Sequence, residues 1–308
     1  MKQFLKTYKL TLKTVGPVYV GSGKEISKKE YIFLDKDTVA ILDVAKVYAM
    51  LKKVGKSNVF ESYLLGNSKE DMGTWLKNEG IPLEKVKPYI KYTLDNKNTV
   101  IENKRQLQIM EMVKDSYGNP YIPGSSLKGI LRTILLSQDI MQNTHKYDAE
   151  KKNLVLETFS SNKSNRNSFL KGNIANIESK SFHTLQREGA KTRDAVNDYL
   201  QGFIVSDSEP LSIKDLALCQ RVELHTDGRE NRLPVLRECI KPGTEIQFLI
   251  SIDTSICLVD EQVLMAAVKN FITLSVRCFS KAFPGLDKLR VNQIYLGGGC
   301  GFVSKTVI

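Results

Sequence analysis

Tyr121-Ile122-Pro123-Gly124-Ser125-Ser126-Leu127-Lys128-Gly129-Ile130-Leu131-Arg132 reads as an extended segment, a Pro-Gly break and the opening of a helix. Ser125 or Ser126 is the expected N-cap, because a hydroxyl there accepts a bond from a free first-turn N–H. Leu127, Ile130, Leu131, Ile134 and Leu135 then fall at i, i+3, i+4, i+7 and i+8, which is one buried helix face. Lys128 and Arg132 stand one turn apart on a flank of that face. Free N–H groups and two aligned cations both suit phosphate. The plainer reading is an amphipathic surface helix with solvated charges.

Near the other end lies Leu296-Gly297-Gly298-Gly299-Cys300-Gly301-Phe302. A loop stripped of side chains lets a ligand approach backbone N–H groups closely. The plainer reading is a tight turn that needs positive φ. Together the two stretches, with Val15-Gly16-Pro17 and Gly21-Ser22-Gly23 before them and Ile204–Ser208, Leu233-Pro234, Glu238 and Lys241–Thr244 between them, resemble the RAMP superfamily of CRISPR effector proteins. Within it, the likeness is to the subunit that caps the guide RNA 3′ end in type III-A (Csm) complexes. The resemblance runs from Tyr8 to the end, with poorly matched tracts between.

That resemblance implies a guide-RNA-binding subunit seated on the last copy of the repeated backbone RAMP subunit, supporting trimming of the guide 3′ end by other nucleases. Target RNA and host trimming nucleases are further implied partners. The RNA-binding residues it points to are Gly21, Ser22, Gly23, Gly124, Ser125, Ser126, Lys128, Arg132, Gly297, Gly298, Gly299 and Gly301.

Charge is consistent with such a partner. Forty-five Lys and Arg against 34 Asp and Glu leave +11, and a basic surplus favours an anionic ligand, most often nucleic acid. No uninterrupted apolar run of spanning length and no signal-peptide pattern is read, so no membrane role is expected. The five cysteines contain no CxxC pair; they read as reduced, buried thiols of a cytoplasmic protein.

Along the chain, Tyr8, Leu10 and Leu12 alternate with Lys9, Thr11 and Lys13, predicting a half-buried strand. Tyr31–Leu34 and Thr38–Leu42 flank Asp35-Lys36-Asp37 as a hairpin, with aspartates in the turn where they are favoured. Short helices follow to about Ile90, with Trp75 as a core anchor, and residues 99–113 turn strand-like. The run 160–168 is too polar for a core, and its Lys163 and Arg166 default to solvent. Ile246, Phe248, Ile250 and Ile252 mark a strand face, and Asp260 caps a long helix.

Strand, helix, strand, strand, helix, strand is the ferredoxin-like, or RRM-like, order. The expected fold is α+β: a ferredoxin-like RAMP core assembled from about 1–23, 120–138 and 201–308. One insertion, hairpin plus helical, spans about 24–119. A second, polar, spans about 139–200. The core's middle strands are expected near Phe203–Asp207 and Glu245–Ile252, with Leu216–Leu224 competing for the first place. Its last strand is expected at Gln293–Leu296. The resemblance also allows a second, degenerate ferredoxin-like unit.

No catalytic residue, metal site or cofactor is expected. His145, His183 and His225 have no nameable partners, and no HD pair, HExxH or phosphate-loop lysine is present. Sister RAMP subunits that cut target RNA use an aspartate in an early loop; here only Asp35 and Asp37 lie early, in the turn. The alternative function is a RAMP-type endoribonuclease acting on precursor or target RNA.

Overall fold

A computed structural model of the chain describes residues 4–97, 107–160, 171–283 and 293–299. In chain order the first strands are β1 (Leu5–Lys13), β2 (Gly21–Ile26), β3 (Tyr31–Phe33) and β4 (Thr38–Leu42). Helices α1 (Val44–Lys53), α2 (Ser57–Leu65), α3 (Met72–Asn78) and α4 (Leu83–Val86) precede β5 (Ile90–Asp95) and β6 (Gln108–Met112). Then come α5 (Gly124–Gln142), α6 (Asp148–Ser160) and α7 (Lys171–Phe182). The remainder is β7 (Phe203–Val205), β8 (Leu216–Leu224), β9 (Glu230–Ile240), β10 (Glu245–Asp253) and α8 (Glu261–Cys278).

The strands make two sheets: β1-β10-β7, and β2-β6-β9-β8-β5-β4-β3. The first is antiparallel throughout, with Tyr8 opposite Ile250 and Ile250 opposite Val205. Ile246, Phe248, Ile250 and Ile252 point to one side, into a core shared with Leu127, Ile130, Leu131 and Ile134 of α5 and Ala267 and Phe271 of α8. Two helices on one face of a sheet ordered first-third-second strand is the ferredoxin-like arrangement.

Two sequence expectations change here. Leu216–Leu224 takes no place in this sheet; it pairs with β9 and β5 in the seven-stranded one. Alternation reveals which face a strand buries but not which strand it joins. Gln293–Leu296 has irregular backbone rather than strand, and lies beside Thr11–Val18. The seven-stranded sheet mixes strands from the expected first insertion with β8 and β9 from the expected core, so the insertion does not stand apart as a layer.

Helices α1–α4 pack on the β3–β4 end around Ile32, Ala40, Leu42, Phe60 and Trp75. Trp75 is the anchor expected of it: its ring lies 5.0 Å from Phe60 and 4.9 Å from Tyr63. Aspartates start α1, α3 and α8 in the same way, with Asp43, Asp71 and Asp260 accepting from N–H groups three residues on. Asp35 accepts from the Asp37 N–H at 2.7 Å inside the β3–β4 turn, as a turn former should.

The segment Glu261–Ala282, which contains α8, is long and apolar enough to cross a membrane by length and composition alone. Charges at Lys269 and Arg277 hid it from a search for uninterrupted apolar runs. Its buried face, Ala267, Phe271, Ile272 and Ser275, is spent on the protein core. Cys239 and Cys257 are buried as expected, but Cys278 is exposed.

Candidate nucleic-acid interface

The α5 N-terminus is built by a distant segment. Pro123 is the N-cap residue and neither serine caps. The cap is Asp207, whose Oδ1 accepts the Gly124 N–H at 2.8 Å. Ser208 clamps Ile122 from both sides, its Oγ accepting the Ile122 N–H and its own N–H donating to the Ile122 carbonyl. A carboxylate therefore already answers the positive end of the helix. Gly124 is required for this approach, because a Cβ there would run into the carbonyl oxygens of Val205 and Ser206. Ser125 is exposed and Ser126 half-buried at the rim.

The two cations of α5 turn inward. Lys128 Nζ donates to the Leu200 carbonyl at 2.8 Å, and burial pulls its pKa below the ordinary lysine value. Arg132 pairs with Asp198, lies 3.9 Å from Glu178, and stacks 4.0 Å over the Phe182 ring. Both side chains thus hold α5 to α7 and the 198–200 segment. Arg132→Ala should lower stability by about 1–3 kcal/mol, from the lost stack and the lost pair with part-buried Asp198. RNA affinity should keep its salt dependence. Urea denaturation and a salt titration of RNA binding read the two effects separately.

A second locus joins the two glycine segments. Tyr19 bridges to Gly297, and its carbonyl accepts the Gly298 N–H at 2.7 Å. Gly297 and Gly299 have φ of +88° and +92°, conformations that side chains strain. Space is equally tight: a Cβ at Gly297 would meet the Tyr19 carbonyl, and one at Gly21 would meet the Tyr19 hydroxyl. Gly21 and Gly298 thus both lie against the Tyr19 ring. Ser22 is pinned by donating to Glu111 at 3.3 Å and accepting the Lys24 N–H at 3.1 Å. Gly301 falls outside the described residues, as do Lys163 and Arg166.

The cation at this junction is Arg237, which sequence reasoning missed. Its guanidinium stacks 4.7 Å from the Tyr19 ring centre and donates to the Gly298 carbonyl at 3.3 Å. Its Nη1 fills the space a Cβ at Gly299 would need. Its Nε is buried with no partner, and it forms no ion pair among the described residues. The only sequence clue was an arginine in an otherwise core-forming run, Val235-Leu236-Arg237-Glu238-Cys239.

Beneath the junction sits a closed charge network. Glu238, fully buried, accepts from Lys114 Nζ at 2.6 Å, the Tyr92 hydroxyl at 2.6 Å and the Met112 N–H at 2.9 Å. Lys114 also reaches Glu111 at 3.2 Å and lies 4.5 Å over the Tyr92 ring. Burial, reinforced by Glu238, raises the Tyr92 phenol well above its usual range. The network ties β5, β6 and β9 together, and Met112 is opposite Gly21 in β2. The glycine segment therefore rests on a rigid, fully bonded platform.

The profile of the RAMP superfamily matches residues 11–303. The chain belongs to the RAMP superfamily. Within it the chain falls in the Csm5 family: the Csm5 protein of the Enterococcus italicus CRISPR system is 30% identical over 98% of this chain and 80% of its own length. The Mycobacterium tuberculosis Csm5 protein is 28% identical over 100% of this chain and 85% of its own. Among solved structures, a chain of a type III-A Csm–crRNA–target RNA complex matches with a TM-score of 0.65. It is 22% identical and covers 96% of this chain and 86% of its own. A crystal structure of T. onnurineus Csm5 matches with a TM-score of 0.63 and 20% identity, covering 88% and 81%. The RAMP fold is thus shared where little sequence identity remains.

The three histidines do not converge. His145 is exposed beside Asp148, His225 closes a turn through its backbone, and His183 lies against the Thr192 carbonyl and 4.0 Å from Asp198. Among the described residues no three His, Cys, Asp or Glu side chains come together as a metal-ion site.

Proposed function

We propose that this chain is a non-catalytic, guide-RNA-binding subunit of a cytoplasmic type III-A Csm effector complex, and that it caps the 3′ end of the guide. The observation that carries the RNA reading is the glycine junction: Gly297–Gly299 folds against Tyr19 and the half-buried Arg237, which has no carboxylate partner among the described residues. Such an arrangement takes a phosphate through charge-assisted hydrogen bonds, while the glycines admit the sugar-phosphate chain. Contacts of this kind hold backbone rather than bases, so binding is salt-sensitive and weakly sequence-specific. The similar Csm5 proteins and the RNA-bound Csm complex support assigning it to that assembly.

The endoribonuclease reading is weaker. Its early aspartates serve the β3–β4 turn, where Asp35 is bonded to the Asp37 backbone. Asp35→Ala and Asp37→Ala should leave target cleavage by the assembled complex intact. Omitting the whole subunit from the expressed locus should leave guides longer or ragged at the 3′ end. Sequencing of bound guides, beside a target-cleavage assay, reads both. One aspartate substitution that stopped cleavage while guide length stayed normal would replace the capping reading by the nuclease one.

A further inference from the structure

The last turns of α5, the 181–199 segment and the start of α8 enclose an open groove. Leu135, Leu185, Ile256, Leu258 and Val263 give it an apolar lining. Leu258 is 88% exposed and Val263 42%. Single exposed apolar residues are ordinary, but a nearly bare leucine set among other apolar lining marks a contact surface. Each lining residue has described chain on both sides. The undescribed run 161–170 joins α7 at Lys171, about ten residues or roughly 15 Å of helix from Ser181 at the groove.

Both walls are pinned. Asn197, 1% exposed, accepts the Leu185 N–H at its carbonyl at 3.1 Å and the Arg187 N–H at its Oδ1 at 2.6 Å. Between those two residues Gln186 has φ of +49°, a left-handed conformation that a side chain rarely adopts. Such strain persists where the surrounding bonds over-determine it, and it concentrates at binding sites. On the other side Ile256 packs on Gly202 so closely that a Cβ there would meet its Cγ1. Within the groove the Tyr199 hydroxyl and the side chains of Gln142 and Thr184 bond to no described residue. Burial pushes the Tyr199 phenol up to about 12, so it stays protonated as a donor.

We propose that this groove takes an amphipathic helix of a neighbouring protein subunit, with apolar side chains three and four residues apart toward Leu258 and Val263 and a lysine or arginine toward the start of α8. The walls are side chains rather than a strand edge, so the incoming backbone must satisfy its own hydrogen bonds, as a helix does. Charge selects a basic helix. Asp260 and Glu261 stand at the mouth, beside Val259 and Val263, and neither forms an ion pair among the described residues. Asp139 in the lining is already answered by Lys146, and α5 ends here with no basic residue in its last turn. An acidic mouth on a chain of net charge +11 turns nucleic acid away from this face. It also disfavours a second copy, since a two-fold contact would set these carboxylates beside their own kind. The inference rests on the assembly reading above but not on the RNA site.

Site-specific photocross-linking tests it in the effector complex purified from a host expressing the whole locus. The photoreactive p-benzoylphenylalanine placed at position 258 should cross-link to one stretch of another protein subunit, before and after ribonuclease treatment. That stretch should carry apolar residues three and four apart and a lysine or arginine. A synthetic peptide of that stretch should bind the free chain, and Leu258→Asp should weaken its binding at least tenfold. Glu261→Lys should weaken it a fewfold, and a peptide with its basic residue changed to glutamate should recover the loss. Leu258→Asp should also lower incorporation into the complex about tenfold with an unchanged urea midpoint, because the side chain is exposed. Leu65→Asp, at a leucine 87% exposed outside the groove, is the control and should bind and assemble normally. Absence of a cross-link to another subunit, cross-links only to this chain, a second copy or RNA, or full incorporation of Leu258→Asp would each overturn the proposal. If the RNA site alone were wrong, Arg237→Ala would leave the salt response of RNA binding unchanged and the cross-link would remain. If the assembly reading were wrong, the unsubstituted chain would not co-purify with guide RNA and other subunits, and this proposal would fall with it.

Discussion

Glu238→Ala should be among the most destabilising single substitutions in this chain, costing about 3–5 kcal/mol. Glu238 is fully buried and answers three donors at once: Lys114, the Tyr92 hydroxyl and the Met112 N–H. Removing it leaves the Lys114 ammonium with Glu111 and the Tyr92 hydroxyl, and the Tyr92 O–H and Met112 N–H with no acceptor, in a place water does not reach. Glu238→Gln keeps acceptor capacity for Tyr92 or Met112 and should cost less. Lys114→Met should also be costly, because the carboxylate is then buried alone. The double variant Lys114→Met with Glu238→Ala should cost less than the sum of its parts, since it leaves no fully buried charge without its partner. Urea midpoints of the four variants measure this; additive losses would mean that the residues act independently.

Arg237→Ala should have the largest effect on RNA binding for the least effect on folding. Among the described residues its side chain makes one hydrogen bond, at 3.3 Å to the Gly298 carbonyl, beside a stack on Tyr19. Losing one charge-assisted phosphate contact should weaken guide binding by about ten- to a hundredfold. It should also flatten the slope of log K against log salt by about 0.7, the value for one phosphate of a single strand. Arg237→Lys retains charge without the flat guanidinium and should fall between. Arg132→Ala is the matched control, because that guanidinium is spent on Asp198 and Phe182. An Arg237→Ala protein with unchanged affinity and slope would remove the junction as a phosphate site.

Periodicity made the ferredoxin-like elements legible. The α5 stripe, the alternation of β10 and the Asp260 cap all depend on residues within a few positions of one another, and all stand as read. Features that depend on distant segments were not legible. Asp207 caps a helix that begins 83 residues before it, so the nearby serines appeared to be the cap. Lys128 and Arg132 looked like free cations because their partners, Leu200 and Asp198, lie about two-thirds of a hundred residues away or more. Arg237 was hidden for the opposite reason: a strand residue shows its role only when the loop it supports folds over it. The glycines themselves were visible, since their chemistry is local, but not that Tyr19 would gather two sets of them.

If this chain caps the guide as proposed, the guide 3′ end lies at the Tyr19–Arg237 glycine junction. Guide RNAs carrying 4-thiouridine at a single 3′-terminal or a single 5′-proximal position, assembled into the complex and irradiated, test it most directly. The 3′ probe should cross-link to peptides containing Tyr19–Gly23 or Leu296–Gly299, and the 5′ probe should not mark this chain. Cross-links from the 3′ probe to another subunit, or from the 5′ probe to these peptides, would contradict the account.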